Sequence, residues 1–121
     1  MSSERPWVAC LCAGWCVACR EYRPTFAALA AQFAGDADFA WIDIEDDADA
    51  LGDLDIENFP TLLIADAGGA RFYGPVMPQA QTAERLIRGA LAGGLAAATD
   101  PALVERVGAL VATRRIGASA S

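Results

Sequence analysis

The sequence contains no histidine and no lysine, and all nine of its basic residues are arginines. No mechanism can therefore use an imidazole or an ε-amine from this chain, which excludes a Ser-His-Asp triad, a Cys-His pair and a histidine-ligated metal site. The formal net charge of −7 disfavours nucleic-acid binding and adhesion to anionic membranes, because both need a basic patch. The reactive side chains that remain are those of cysteine, serine, threonine and the carboxylates.

Long apolar runs are also missing. No stretch reaches about 18 apolar residues, so we expect no transmembrane helix and no membrane partner. The opening MSSERPWVACLC lacks the basic region of a secretory signal. We therefore expect a cytoplasmic protein. In a reducing compartment, four cysteines are typical of redox or metal chemistry rather than of structural disulfides.

What the chain does have is a core: 55% of its 121 residues are hydrophobic, enough for one domain. Hydrophobic periodicity predicts four strands, at 7–12, 38–44, 60–66 and 70–74. It predicts helices at 16–33 and 79–92, a short irregular helix between the second and third strands, and a last helix that begins at Pro101. A helical crossover leaves the first two strands parallel, and a turn at Gly68 and Gly69 makes the last two an antiparallel hairpin. The predicted fold class is α/β, with a mixed four-stranded sheet flanked by helices.

The stretch GWCVACREYRP carries the candidate chemistry, because Cys16 and Cys19 form a C-x-x-C pair where a strand gives way to a helix. This spacing serves both redox and metal sites. All four cysteines fall within CLCAGWCVAC and could in principle bind zinc or an iron–sulfur cluster. Gathering them around one ion would break the strand that carries Cys10 and Cys12. A redox dithiol is therefore favoured over a metal site or a coincidence of spacing.

The element order and four sequence marks resemble the thioredoxin family over roughly residues 7–93. The marks are the W-C-x-x-C of Trp15, Cys16 and Cys19, the helix proline Pro24, the segment FPTLL at 59–63, and Gly74 at the end of the last strand. The resemblance implies four parts: a flexible N-terminus (1–6), a thioredoxin-like domain (7–93), an additional C-terminal helix (94–116) and a loose tail (117–121). The family usually opens with a further strand and helix, so the domain is trimmed at its N-terminus.

The same resemblance implies a thiol–disulfide oxidoreductase in which Cys16 attacks a substrate disulfide and Cys19 releases the product. A helix N-terminus favours the thiolate that such an attack needs. The residues expected to shape the site or bind substrate are Trp15, Val17, Ala18, Phe59, a cis Pro60 and Gly74. We expect no cofactor and no metal. The expected partners are a disulfide-containing protein substrate and a thiol-reducing electron donor, for a protein that acts as a monomer.

The chain departs from the family pattern on the strand before the motif. Cys10 takes the position of the family's buried acid, Cys12 replaces a tryptophan, and Trp41 falls where the lysine paired with that acid is expected. The proton acceptor for Cys19 is thus not identified by the sequence. The Val17-Ala18 dipeptide adds no hydrogen-bond donor between the cysteines, which favours a reductase over an oxidant.

Several readings remain open. Cys10 and Cys12 are interpreted as small buried hydrophobes, since Cα atoms two apart in a strand are separated by about 6.6 Å, at the limit for a disulfide. The acidic run 43–57 is interpreted as a solvated face, with recognition of a basic partner as the alternative. The last helix is interpreted as packing on its own domain, with a dimer or partner contact as the alternative. For Cys12, a regulatory thiol is the alternative to a buried hydrophobe. The functional alternative to an enzyme is a non-catalytic thioredoxin-fold redox sensor or protein-binding module.

Overall fold

The computed structural model describes residues 6–13, 16–51, 60–66, 68–75, 80–93, 101–114 and 116. Within these ranges the elements run in the order β1 (Trp7–Cys12), α1 (Val17–Gln32), β2 (Asp38–Asp43), α2 (Ala48–Leu51), β3 (Thr61–Asp66), β4 (Gly69–Pro75), α3 (Ala80–Leu91) and α4 (Pro101–Arg114). Every predicted element is present, with ends that differ from the expected ones by one or two residues. No helix in the described ranges is long and apolar enough to cross a membrane.

The four strands form one mixed sheet in the order β2-β1-β3-β4. β1 runs parallel to β2 because the α1 crossover returns the chain to the end of the sheet at which β1 begins. β3 runs antiparallel to both β1 and β4. The β3–β4 hairpin turns at Gly69, whose φ of 118° lies in a region that side chains other than glycine rarely adopt. The predicted mixed α/β sheet is confirmed.

Helices α1 and α3 cover one face of this sheet. Alternate residues of β1 point into that layer, and α1 adds an aromatic row that ends against β2. The ring of Phe26 is central, with centroid distances of 5.5 Å to Phe39, 5.8 Å to Trp41 and 6.3 Å to Tyr22. These distances are typical of tilted aromatic pairs in cores. The layer is continuous from α3 to the strand that precedes the C-x-x-C motif.

Helix α4 covers the opposite face. Its buried side chains pack on Ala9 and Leu11 of β1, Ala40 and Ile42 of β2 and Leu63 of β3; they are Leu103, Val107, Leu110 and Val111. The prediction that this helix packs on its own domain is confirmed. Gly108 allows the ring of Trp7 to lie close to the helix, since a Cβ there would stand 3.3 Å from Trp7 Cζ2. Without α4, the second face of the sheet would expose a large apolar surface to water.

The acidic run is only partly a solvated face. Asp43 ends β2, and its Oδ1 accepts hydrogen bonds from the backbone N–H groups of Glu45 and Asp46 at 2.8 and 3.2 Å. Asp47 is 5% exposed and forms a two-point ion pair with Arg114 of α4, at 2.5 and 3.3 Å. The interpretation was therefore wrong for Asp47. A buried carboxylate needs a charged partner, and the end of α4 supplies one.

Trp7 and Trp41 are half-buried at the margins of the two apolar layers. After α4, the backbone N–H of Ile116 donates to Phe39 O at 2.7 Å, so this point of the chain lies beside β2. The boundaries at 6, 93 and 116 stay predictions, and the link 94–100 lies outside the described residues.

Candidate active site

Cys16 lies at the N-cap of α1, in the turn that connects β1 to the helix. Its backbone is extended (φ −85°, ψ 118°), its N–H donates to Ala13 O at 3.0 Å, and its carbonyl accepts from Arg20 N at 3.2 Å. The first turn of α1 contains no acidic residue. The half-buried Cys16 thus lies at the positive end of the α1 dipole, with no acidic residue in the first turn, and its side chain makes no capping hydrogen bond.

Cys19 lies one turn further along α1 and is 1% exposed. Burial raises the pKa of its thiol, and the hydrogen bond that Cys19 donates to Cys12 raises it further. A hydrogen bond from the backbone of Ala13 acts in the opposite direction but does not outweigh the two. Cys16 is also among its hydrogen-bond partners. Of the two motif cysteines, Cys16 is thus half-buried and Cys19 is buried.

Cys10 and Cys12 are buried on the same face of β1 as the C-x-x-C motif. Their Sγ atoms are 3.3 Å apart, and either one can be the donor. The Cys12 thiol hydrogen-bonds Cys19 as well. The hydrogen bond to Cys10, together with burial, raises the pKa of Cys12. The four free thiols are thus connected in the order Cys10, Cys12, Cys19 and Cys16, which sequence spacing alone did not predict.

Tyr22 brings a second polar group to this buried layer. Its side chain is fully buried and its hydroxyl has no hydrogen-bond partner. Burial raises the pKa of the phenol, and the nearby Cys10 and Cys12 add to the effect. The hydroxyl therefore remains protonated and can act as a donor. This polar group is not among the sequence-based expectations, although the spacing of three residues between Cys19 and Tyr22 could have indicated that the two side chains share one face of α1.

Pro60 is buried and directly precedes β3. Thr61 pairs with Leu11, so continuing the antiparallel register brings Pro60 level with Cys12, at the end of β1 that leads to the motif. Val17 is 57% exposed and Ala18 is also exposed, which leaves the dipeptide between the cysteines open to a partner. The arrangement suits a substrate that approaches between the start of α1 and the start of β3.

The other predicted site residues are less directly placed. Gly74 pairs with Leu62 in the hairpin, and a Cβ there would meet the Phe72 ring of its own strand rather than the motif. Trp15 and Phe59 lie outside the described residues, as does the peptide bond whose cis form was predicted at Pro60. The site roles of these residues stay predictions.

Metal binding was the alternative use of the four cysteines. Among the side chains that the structure describes, no group of three or more cysteines and carboxylates is arranged to hold a metal ion. The thiols follow one another along β1 and α1 instead of surrounding a common centre.

A polar cleft of about 390 Å³ lies on the other side of β2 from Cys12. It is lined by Arg23, Trp41, Asp43, Asp46, Asp47 and Arg114. The Arg23 guanidinium lies 4.9 Å from the centroid of the Trp41 ring, a cation–π distance. Trp41 pairs in register with Cys10, so the two positions at which the chain departs from its resemblance, the acid and the lysine, are neighbours across strands.

The chain is similar to known proteins in both sequence and fold. The family model described as Thioredoxin matches residues 1–88. The chain belongs to the thioredoxin family. No curated protein matches it. This membership supports thiol–disulfide oxidoreductase activity in general terms, without specifying the direction of electron transfer or the substrate.

Solved thioredoxins share the fold at low sequence identity. The germline-specific thioredoxin Deadhead of Drosophila melanogaster is 16% identical, with a TM-score of 0.62 over 72% of this chain and 82% of that one. Mitochondrial thioredoxin 3 of Saccharomyces cerevisiae is 18% identical (TM-score 0.60; 71% and 80% covered). Fasciola hepatica thioredoxin is 23% identical (TM-score 0.60; 72% and 83% covered). At these identities the likeness shows the fold alone.

Proposed function

We propose that this thioredoxin-family protein is a thiol–disulfide oxidoreductase that reduces protein disulfides, with Cys16 as the nucleophile and Cys19 as the resolving thiol. The observation that carries the proposal is the contrast between the two sulfurs. Cys16 is half-buried at the N-cap of α1, and Cys19 is 1% exposed one turn later within hydrogen-bond reach. Attack requires an accessible thiolate, and resolution requires a second thiol held close to the first.

The cycle consists of two exchanges. The Cys16 thiolate attacks one sulfur of the substrate disulfide; a Cys16–substrate bond forms and the other substrate sulfur leaves as a thiolate. Cys19 then gives up its proton and attacks Cys16 Sγ. The substrate leaves as a second thiolate, and a Cys16–Cys19 disulfide remains. The substrate gains two electrons, which an external thiol reductant later returns to the protein.

The proton of Cys19 is the demanding part of this cycle. The groups that set the pKa of Cys19 in the described structure are thiols, a backbone amide and burial, with no carboxylate among them. Cys10 occupies the position expected for an acid, and its thiol forms a hydrogen bond with Cys12 instead. Water or hydroxide from solvent is therefore the acceptor. Resolution is expected to be slower than it would be with a neighbouring carboxylate base.

Slow resolution also gives weight to the alternative function, a redox sensor or protein-binding module. A long-lived bond between Cys16 and a partner holds that partner in place rather than turning it over. The polar cleft beside β2 gives such a partner a second point of contact. In this case the dithiol would respond to redox state without catalysing the reduction of other proteins.

Reduction of insulin by dithiothreitol separates the two functions. An oxidoreductase accelerates insulin reduction, and Cys16→Ser abolishes the acceleration because the attacking sulfur is gone. Cys19→Ser is the matched variant: it keeps the attack and loses resolution, so it accumulates a mixed disulfide at residue 16. A wild-type protein that forms a reversible Cys16–Cys19 disulfide without accelerating the reaction supports the sensor.

The direction of the reaction and its place in the cell are separate parts of the proposal. A reductase working in the cytoplasm needs a Cys16–Cys19 potential at or below that of the glutathione pool, roughly −220 to −260 mV by extraction methods. Equilibration with glutathione buffers, read by counting alkylated cysteines, measures this potential. A value near −120 mV, typical of strong oxidants, would reverse the direction.

A further inference from the structure

The four thiols form a connected row that the two-cysteine cycle does not explain. Cys10 Sγ lies 3.3 Å from Cys12 Sγ, Cys12 hydrogen-bonds Cys19, and Cys19 hydrogen-bonds Cys16. Cys10, Cys12 and Cys19 are at most 1% exposed. Catalysis by Cys16 and Cys19 needs no third sulfur, yet Cys12 contacts the resolving one directly.

We infer that Cys12 is a third exchange cysteine, which takes Cys19 from the oxidised site to form a buried Cys12–Cys19 disulfide and returns Cys16 to the free thiol. The inference rests on the proposed function, because its starting point is the Cys16–Cys19 disulfide that substrate reduction leaves behind. It adds a storage form to that function. The oxidised protein then exists as two disulfide isomers, one with Cys16 blocked and one with Cys16 free.

The exchange needs no additional oxidant. Cys12 loses its proton and its thiolate attacks Cys19 Sγ; the Cys12–Cys19 bond forms as the Cys16–Cys19 bond breaks. The electron pair of the broken bond leaves on Cys16 Sγ, which takes up the proton. One disulfide is present before and after, so the protein remains oxidised by two electrons throughout. The reverse attack by Cys16 on Cys19 regenerates the catalytic disulfide.

Two polar groups lie in the same buried layer as Cys12. Cys10 Sγ is 3.3 Å from Cys12 Sγ, and either thiol can be the donor. The Tyr22 hydroxyl is buried and has no hydrogen-bond partner. The hydrogen bond to Cys10 and burial both raise the pKa of Cys12. The exchange therefore starts from a small population of the Cys12 thiolate.

Burial sets the time scale of the exchange. The raised pKa of Cys12 keeps its thiolate scarce at neutral pH, so the transfer is slower than a catalytic turnover. Once formed, the Cys12–Cys19 bond lies beneath the surface and is shielded from external reductants. The free Cys16 can still attack a partner but then has no resolving thiol, so the partner stays attached until Cys19 is released.

The test counts thiols in Cys16→Ser after treatment with diamide. This variant has three cysteines left, and we expect two to be lost, with the new bond joining residues 12 and 19. Chymotryptic cleavage after Trp15 separates residues 10 and 12 from residue 19, so the bond appears in mass spectrometry as two linked peptides that reduction releases. Adding Cys12→Ser must abolish the link. Adding Cys10→Ser instead must preserve it, which distinguishes it from a bond between residues 10 and 12.

The wild-type protein provides a second readout that does not depend on how any variant folds. After complete oxidation and incubation at mildly alkaline pH, native alkylation is expected to label Cys16 in part of the molecules. Full retention of three thiols by Cys16→Ser, or complete protection of Cys16 in the oxidised wild type, would overturn the inference. These readouts count bonds rather than turnover. Loss of insulin reduction with the link intact therefore contradicts only the proposed function, and the converse contradicts only the storage disulfide.

Discussion

The buried thiols make the stability of this protein depend on alkaline pH in a way that can be measured. In the folded chain, the hydrogen bond to Cys10 and burial raise the pKa of Cys12, and burial with the hydrogen bond to Cys12 raises that of Cys19. In the unfolded chain both thiols ionise near a pKa of about 8.5. Above that pH the unfolded state loses protons that the folded state keeps. The contribution of these thiols to the free energy of unfolding is therefore complete below about pH 8.5 and falls as pH rises.

The expected slope follows from the number of protons released. Each thiol that stays protonated in the folded state lowers the free energy of unfolding by about 1.4 kcal/mol per pH unit above its unfolded pKa. From pH 8.5 to 10 this amounts to roughly 2 kcal/mol for Cys12 and about as much again for Cys19. Domains of this size are stable by only about 5–15 kcal/mol, so the effect is large. Tyr22, whose pKa is also raised by burial, extends the loss above about pH 10.

Urea unfolding under a phosphine reductant, followed by tryptophan fluorescence at closely spaced pH values, measures this slope. Cys12→Ala is expected to reduce it by about 1.4 kcal/mol per pH unit, because one retained proton is lost. Val107→Ala is the matched control. This fully buried residue lies on the opposite face of the sheet, so its replacement costs about 2 kcal/mol at every pH and leaves the slope unchanged. Equal slopes for wild type and Cys12→Ala would refute the assignment of a proton-retaining thiol at residue 12.

Three further expectations concern the cycle, the hairpin and the last helix. The rate at which a substrate is released from Cys16 should rise about tenfold per pH unit near neutrality, because Cys19 must ionise first. Stopped-flow kinetics with a labelled disulfide measure this rate, and a rate that does not change with pH would contradict the expectation. Gly69→Ala should cost about 1–3 kcal/mol in chemical denaturation because of its φ of 118°, whereas Gly35→Ala, with open space around its Cβ, should not destabilise. Leu110→Ala, on the buried side of α4, should lower the free energy of unfolding by about 2–5 kcal/mol. Glu105→Ala, on the exposed side, should lower it by less than about 0.5 kcal/mol. Similar losses for the two variants would mean that α4 does not cover the sheet.

The proton chemistry of the site differs from what a carboxylate at position 10 would give. A carboxylate near Cys19 could accept its proton directly, whereas the raised pKa values of Cys12, Cys19 and Tyr22 show that these three groups hold their protons more firmly than usual. The layer below the motif is therefore a poor proton acceptor. It is also rich in sulfur, and the proposed exchange between Cys12 and Cys19 depends on this feature.

Much of the fold could be read from local patterns. The alternation of apolar residues in β1, the three- and four-residue spacing of Cys19, Tyr22 and Phe26, and the glycines before β4 each follow from the geometry of one element. Pro101 marked the start of α4 for the same reason. Such signals depend on neighbours within about one turn, so sequence alone predicted the order and type of every element.

Contacts between distant segments could not be read in this way. The pairing of Asp47 with Arg114 joins residues 67 positions apart, and nothing in the acidic run distinguishes Asp47 from the carboxylates around it. Its burial results from the position of α4 across the sheet. The same holds for the Tyr22 hydroxyl, which has no hydrogen-bond partner because of how α1 packs against β1.

The sequence by itself determined which chemistry is available: with no histidine and no lysine, and with two cysteines three apart where a strand passes into a helix, thiol exchange was the consistent reading. Tertiary structure decided how the sulfurs relate to one another. Cys10, Cys12 and Cys19 come within hydrogen-bond reach only because α1 lies on the same face of the sheet as alternate residues of β1. Spacing along a chain specifies the local direction of a side chain, whereas the distance between two sulfurs on different elements is set by how those elements pack.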